Sequence, residues 1–299
     1  MNNNKVAIIL CIKDNFDYLE EQLDSIFAQD YKNFDIFLSD DSLTNKVNHI
    51  LKKYQVTYLE GPKKGFAVNF ISTLINIPDT YSFYAFADQD DIWLKNKLSY
   101  GIDILLKQNM NNPNLFCGRT FLVNHYGRTI GMSPLFKRVP SFRNALVQSI
   151  AGGNTMIFNS KTKDLLKQVD LSKTVVSHDW ITYLFVSAVS GKVIYEQEPL
   201  IKYRIHDKNL VGSNIGFKAF FKRFRIFYNG SWMKWINANI EQLNNIVLTD
   251  NKDDLEIFIK MRESRNFLKR LNYLFRYKFY RQTFMGEITL FMMVLMRKL

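Results

Sequence analysis

Seven apolar residues, Val6–Ile12, run without interruption before Lys13 and Asp14 cut them off. A run that short and that uniformly apolar belongs to a strand covered on both faces, because a half-exposed strand alternates with a period of two. The period then changes. Leu19, Leu23, Ile26 and Phe27 fall at i, i+4, i+7 and i+8, one stripe of a helix, with Asp17 and Glu20 at capping-box spacing ahead of it. Phe34–Leu38 reads as a second strand and Val47, Ile50 and Leu51 as a short helix. Val56–Leu59 follows as a third strand, then a helix over Phe66–Ile77 that Pro78 stops. Tyr81–Ala87 is a fourth strand, and Leu98, Ile102, Leu105 and Leu106 mark the helix after it. Repeated strand–helix units predict an α/β fold with a mostly parallel central sheet and helices on both faces.

The middle of the chain is less regular. Leu115–Val123 reads as a strand, Phe142–Ile150 as a helix, and Thr155–Phe158 as a strand preceded by Gly152-Gly153. His178–Ser190 carries Ile181, Leu184, Phe185 and Ala188 on one helical stripe. Val193–Tyr195 and Leu200–Ile205 are strand candidates on either side of Pro199. From about Gly216 the texture changes to long helical patterns rich in aromatics and Lys/Arg, which divides the chain into a domain over 1–215 and a C-terminal helical extension over 216–299.

Composition narrows the function. With 299 residues, 47% of them apolar, and only 13 Gly and 6 Pro, the chain is neither disordered nor fibrous and can bury a large core. Cys11 and Cys117 are the only cysteines, which excludes a disulfide framework and a Cys-based zinc site and points to a reducing compartment, the cytoplasm. The first apolar run is too short for a secretory signal, and Ile288–Met296, which contains Thr289, is about half of a membrane span. Charge is unevenly spread. Residues 217–299 hold 16 Lys/Arg against 7 Asp/Glu, whereas the first 216 hold 24 against 21. A nearly neutral body with a basic tail suggests an anionic partner for the tail; a solvated basic face is the ordinary alternative.

Three acidic clusters stand where strands or helices begin or end: Asp40/Asp41, Asp88/Asp90/Asp91, and Asp179 after His178. Any one of them taken alone is an N-cap or a turn former. Ligands of an open parallel sheet bind beyond the carboxyl ends of its strands, and several carboxylates meeting there repel one another unless a cation neutralises them. Asp oxygens without Cys suit Mg²⁺ or Mn²⁺.

Several stretches, taken in order, resemble a known family. Val6-Ala7-Ile8-Ile9-Leu10, Tyr18–Ile26, Gln29-Asp30-Tyr31 and Leu38-Ser39-Asp40-Asp41-Ser42 look like the opening of family 2 glycosyltransferases. Phe86-Ala87-Asp88-Gln89-Asp90-Asp91-Ile92-Trp93 resembles that family's DXD strand end, in the form of its bacterial rhamnosyltransferase-type branch. Gly152-Gly153-Asn154-Thr155-Met156, Ser177-His178-Asp179-Trp180 and Tyr203-Arg204-Ile205-His206 continue the match, which covers roughly residues 5–212. The resemblance implies a GT-A-like, Rossmann-like fold and inverting, metal-dependent transfer of a sugar from a nucleoside diphosphate to a lipid-linked or oligosaccharide acceptor. Asp179 falls at the family's catalytic base. Lys13, Asp41, Lys64, Asp88 and Trp93 fall at the nucleotide sugar, Asp41 at the base and Asp88 at the ribose. Asp90 and His206 fall at the metal, Mg²⁺ or Mn²⁺, and Gly153 and Trp180 at the acceptor. A satisfied structural histidine is the alternative for His206, a core aromatic for Trp93 and an exposed loop lysine for Lys64. The family's usual Pro-Thr-Tyr-Asn opening is Cys11-Ile12-Lys13-Asp14 here, which leaves the nucleotide open between a dTDP-sugar, favoured as dTDP-rhamnose, and a UDP-hexose.

Phe217–Tyr228 interleaves aromatics with cations, Trp232 and Trp235 follow, and Leu274–Arg281 repeats the texture. That composition predicts in-plane helices on an anionic membrane, at its inner face. Helices packing these aromatics on the catalytic domain are the alternative, and no nucleic-acid partner is expected, although stacking and phosphate contacts use the same residue types. A metal-dependent nucleotidyltransferase would share the sheet and carboxylates but needs a glycine-rich phosphate loop that Cys11–Phe16 does not provide. A non-enzymatic nucleic-acid or membrane-binding protein is the more distant reading.

Overall fold

The computed structural model describes residues 4–43, 47–205, 230–244, 246 and 249–299. Its centre is a seven-stranded sheet of β1 (Val6–Ile12), β2 (Phe34–Asp40), β3 (Thr57–Glu60), β4 (Phe83–Ala87), β6 (Asn114–Gly118), β9 (Ile157–Asn159) and β10 (Lys192–Glu196), in the order β10-β6-β9-β4-β1-β2-β3. Every pairing is parallel except those of β9, which lies antiparallel between β4 and β6. A second sheet joins β5 (Ile92–Trp93), β11 (Ile201–Arg204), β7 (Phe121–Val123) and β8 (Thr129–Met132).

The uninterrupted apolar run of β1 is explained by its place. Ala7, Ile9 and Cys11 enter one apolar cluster, Val6, Ile8, Leu10 and Ile12 the other, and all seven residues are buried. The second cluster is roofed by α1 (Leu19–Phe27), α2 (Asn48–Lys53) and α4 (Lys97–Leu106) through Leu23, Ile50 and Ile102. The first takes α3 (Phe66–Asn76), α6 (Ser160–Leu166) and α7 (His178–Ala188), through Phe70, Leu166 and Leu184. The same cluster continues into α8 (Ser231–Leu243), α9 (Thr249–Glu263), α10 (Phe267–Arg276) and α11 (Phe284–Leu295), through Ile236, Phe258, Leu274 and Met293. The boundary at 215/216 therefore does not separate two cores.

Several local expectations give way to longer-range contacts. Asp17 does not cap α1, which begins at Leu19 behind Tyr18 without a side-chain cap; the Asp17 N–H turns instead toward Asn15 Oδ1, at 3.4 Å. The single strand expected over Leu115–Val123 is two, because the chain changes sheets after Gly118, where a side chain would lie 2.9 Å from the Glu196 carbonyl oxygen. The helix expected over Phe142–Ile150 stops as α5 (Phe142–Ala145), whose Ala145 carbonyl accepts a hydrogen bond from Trp180 Nε1 at 2.7 Å. Residues Gly153–Thr155 form a 3₁₀ turn rather than a strand start, and β9 begins only at Ile157.

The C-terminal helices are bolted to the segment around α5. Gln282 exchanges two hydrogen bonds with the Arg138 backbone, donating at 3.0 Å and accepting at 3.1 Å, and its own N–H donates to Gln148 Oε1 at 2.8 Å. Asn144 Nδ2 donates to the Tyr280 carbonyl at 2.9 Å. Tyr183 of α7 donates to the Ser141 carbonyl and Asn144 Oδ1, at 3.1 and 2.9 Å. Trp232 packs on Trp180, ring centroids 5.3 Å apart. Phe217–Tyr228 lies outside the described residues.

Candidate active site

The order β3-β2-β1-β4 places the carboxyl ends of three parallel strands, β2, β1 and β4, side by side at the point where the strand order reverses. β1 ends at Ile12, whose carbonyl accepts the Asp41 N–H at 2.9 Å, and β4 ends at Ala87, one residue before Asp88. Cys11, 8% exposed, lies between them: burial first, then the nearby charges of Asp88 and Asp41, push its thiol well up. The first two acidic clusters therefore meet at the end of β1.

The third meets them through α7. Ser177 caps that helix and Asp179 occupies its first turn, accepting the Trp180 N–H at 2.7 Å. Asp88 is pushed up to about 8 by burial, then by Asp90, then by Asp179. Asp179 is itself raised by burial, with hydrogen bonds from Ser177 and the Trp180 N–H holding it back. Three carboxyls from two distant stretches thus share one electrostatic neighbourhood, which adjacent-residue reasoning predicts only as a convergence of separate clusters.

Other expected site residues fall at different depths. Asp41 is 2% exposed, and its oxygens accept the backbone N–H groups of Lys63 and Gly65 at 2.5 and 3.0 Å, so it shapes the loop before α3. Lys64 on that loop is exposed, as is Lys13. Lys13 is anchored by its backbone: Gln89 Oε1 accepts its N–H at 2.6 Å, while Gln89 Nε2 donates to the Asn15 carbonyl at 2.6 Å. Trp93, 3% exposed, is a core residue whose ring centroid lies 3.4 Å from Lys97 Nζ. Trp180, 4% exposed, is likewise internal. His206 lies outside the described residues.

Gly153 has a steric reason. A Cβ built there would fall 1.9 Å from His178 Nε2. The His178 imidazole stacks on Phe70 at a centroid distance of 3.9 Å and meets the Phe86 ring edge-on. Burial lowers its pKa to about 3, so the ring is neutral, and neither nitrogen has a hydrogen-bond partner among the described residues. Gly153 and His178 together let the 152–155 turn lie against the start of α7.

Two residues that sequence reasoning left out of the site, Asp91 and Arg204, hold the acidic turn in place. Asp91, fully buried, accepts from Asn154 Nδ2 at 2.5 Å and from the Arg204 N–H at 3.3 Å; burial, then Asp90 and Asp88, raise its pKa well above the usual carboxylate range. Arg204, 1% exposed, donates to the carbonyls of Asp90, Asn124 and His125 at 3.1, 3.3 and 2.8 Å, and its guanidinium lies over the Tyr18 ring. Asp91 was visible beside its motif, and Arg204 stands in the Tyr203–His206 stretch; their partners lie too far off in sequence to be read from spacing.

Among the described residues no group of three His, Cys, Asp or Glu side chains forms a ready metal cage. The donor set still fits a hard divalent cation. Asp88 and Asp90 offer oxygen ligands whose mutual repulsion a cation would relieve, and Mg²⁺-type ions take one or two carboxylates and complete their shell with phosphate and water oxygens. Together these features define a GT-A-like fold with carboxylates gathered at the ends of its parallel strands. The chain belongs to glycosyl transferase family 2, whose sequence model matches residues 7–166.

Over 250 residues the chain is 28% identical to the dTDP-rhamnosyl transferase RfbG of Shigella flexneri, an alignment spanning 78% of this chain and 83% of that one. It resembles the S. aureus TarS 1–349 structure in complex with UDP-GlcNAc with a TM-score of 0.58 at 15% identity, covering 91% of this chain and 73% of that one. GalNAc-T7 with UDP, GalNAc and Mn²⁺ follows at 0.53 and 11%, covering 84% and 54%. At such identities the structures speak for the shared fold, and the chain is an enzyme, a glycosyltransferase.

Proposed function

We propose that this glycosyltransferase moves rhamnose from dTDP-rhamnose to a lipid-linked or saccharide acceptor, with inversion at the anomeric carbon, in building a bacterial surface polysaccharide such as a capsule. The observation that carries the inverting, cation-assisted reading is the shared field of Asp88, Asp90 and Asp179. The similarity to a dTDP-rhamnosyl transferase supports the donor.

In this reading the donor lies across the ends of β1, β2 and β4. Asp41, fixed by the Lys63 and Gly65 amides, accepts from the base with the lone pairs those amides leave, and the exposed Lys13 and Lys64 flank the nucleotide. Asp88 accepts from the ribose, and Trp93 supports the donor from beneath, as part of the core. Asp90, with His206, would hold Mg²⁺ or Mn²⁺. What that cation supplies, when bound, is charge neutralisation of the departing diphosphate. Asp179 faces the acceptor, with Gly153 and Trp180 setting the position of its helix. The acceptor oxygen forms its bond to the anomeric carbon as the bond to the diphosphate breaks on the opposite side, and the hydroxyl proton passes to Asp179. A carboxyl raised by burial is a better base than one in water. A membrane-bound acceptor would keep the enzyme at the cytoplasmic face of the membrane.

Thermal stabilisation by dTDP-rhamnose, UDP-glucose, UDP-galactose and UDP-N-acetylglucosamine, with and without Mg²⁺ or Mn²⁺, tests the donor. Selective, cation-dependent stabilisation by dTDP-rhamnose is expected, and selectivity for a UDP-sugar replaces the rhamnosyl reading. Asp90→Asn is expected to abolish cation-dependent release of the nucleoside diphosphate. Asp179→Asn keeps donor binding and lowers transfer by about 10²–10⁴-fold; near-native transfer by that variant removes Asp179 from the role of base.

A further inference from the structure

α11 is apolar almost all the way round, yet only half of it is covered. Leu290, Met293 and Val294 enter the core, while Phe284, Met285, Ile288 and Met292 on its other side are 79%, 51%, 42% and 41% exposed. A helix apolar on every face belongs inside a protein or against lipid, and this one leaves a continuous apolar side without a protein partner among the described residues. α10 packs beside it and adds Phe267, Leu268 and Phe275, at 50%, 64% and 66% exposure. The rings of Phe275 and Phe291 lie 6.3 Å apart across the two helices. They line a groove of about 390 Å³ with Ile288, and Lys278 and Arg138 stand in its wall.

The charge around this apolar face has one sign. Residues 264–299 contain eight Lys/Arg and a single acidic residue, Glu287, which is already engaged by Arg138. Lys269, Arg276, Lys278 and Arg297 are exposed. No helix among the described residues is long and apolar enough to cross a membrane, so the face has the means to lie in a bilayer surface and not to traverse it. We propose that the α10–α11 hairpin is a docking surface for anionic phospholipid, with Phe275, Phe284, Ile288 and Met292 entering the acyl boundary and the surrounding Lys/Arg meeting the headgroups. The juxtaposition of an uncovered apolar helix side with an almost purely cationic surround selects lipid over a second copy of the chain, whose hairpin would bring the same positive charge.

The hairpin also communicates with the site through covalent and hydrogen-bonded structure. Tyr280 and Gln282, between α10 and α11, hold Ser141, Asn144 and Gln148, and the Ala145 carbonyl holds Trp180, next to Asp179. Docking therefore seats the bilayer against the same segment that orients the start of α7.

Sedimentation of the full chain with vesicles of phosphatidylcholine alone, or with about one third phosphatidylglycerol, tests the proposal without any sugar donor, so its result is independent of the transferase reading. Binding to the anionic vesicles at least tenfold tighter than to neutral ones is expected. Phe284→Ser/Ile288→Ser and, separately, Arg276→Glu/Lys278→Glu are each expected to weaken anionic-vesicle binding by at least tenfold. Their melting curves should match the parent's, since all four side chains are exposed. Retained binding by either double variant overturns the proposal, as does equal affinity for neutral vesicles. A concentration-dependent dimer in analytical ultracentrifugation that Phe284→Ser/Ile288→Ser abolishes also overturns it, in favour of a second copy as the occupant.

Discussion

His178 shows how much of the site rests on a residue that touches none of the expected ligands. Its ring stacks on Phe70, crosses Phe86 and leaves room at Gly153 only for hydrogen. Burial holds its pKa near 3, against 6.5 for an ordinary histidine. Below about pH 6.5 the unfolded chain takes up a proton that the folded chain refuses, so stability is complete above that pH and declines toward pH 3. The slope from this group is about 1.4 kcal/mol per pH unit. Urea unfolding at pH 7.0 and 5.5 should show that loss in the parent, and His178→Gln should remove this component of it. An equal pH dependence in the variant would mean that the ring is hydrated and protonates in place. The Ser-His-Asp-Trp stretch was legible as a helix start with a carboxylate in its first turn. The histidine's role was not, because Phe70, Phe86 and Gly153 approach it from three separate parts of the chain.

At the scale of elements, strands buried on both faces were legible nearly to the residue: β1 matches its apolar run, and β2 and β4 each differ from theirs by two residues at one end. Elements that serve two masters were not. β6 and β7 looked continuous because both are apolar, but one pairs in the central sheet and the other in the smaller sheet. α5 was cut short by a tryptophan reaching from α7. The smaller sheet depends on Arg204, which ties β11 to the Asp90 turn and to the β7–β8 hairpin through three carbonyls. Removing a buried, multiply hydrogen-bonded cation strands its acceptors, at a cost of about 3–5 kcal/mol. Arg204→Met should lower stability by that amount in denaturant titrations and weaken donor binding further through a loosened Asp90 turn. Unchanged stability would show that water reaches those carbonyls.

Across the whole molecule, the change in composition near Gly216 marks a change in surface and not an independent unit. One apolar cluster contains Phe70 and Phe158 beneath the sheet together with Ile236, Phe258 and Met293. Periodicity reports that a helix has an apolar side; it does not report what lies against that side, and so the sequence left packing and membrane contact as alternatives for the tail. The structure shows the packing: the inner sides of α10 and α11 are buried, and their outer sides are left exposed. A chain stopped at residue 229 would expose Trp180 and the sides of α7 and α5 against which α8 and α9 pack. Such a chain should show no cooperative thermal transition in near-ultraviolet circular dichroism; a sharp transition would establish that 1–229 folds alone.

The reversed strand β9 has a consequence for how the enzyme is made. β4, which delivers the acidic turn, is bounded on one side by β1 and on the other by β9, and β9 is synthesised after everything from β5 to α5. On the ribosome, β1 to β4 and their helices can assemble as soon as they emerge, but the edge of β4 stays open until residues 157–159 arrive. An open edge beside a half-built sheet is the state most prone to pairing with a neighbouring nascent chain. Closure of the β4–β9–β6 seam joins β6 to the strands made before it and brings Asn154 to Asp91, while β10 and Arg204 are added later along the chain. Asn154 thus reaches the acidic turn only as the open edge of β4 is sealed.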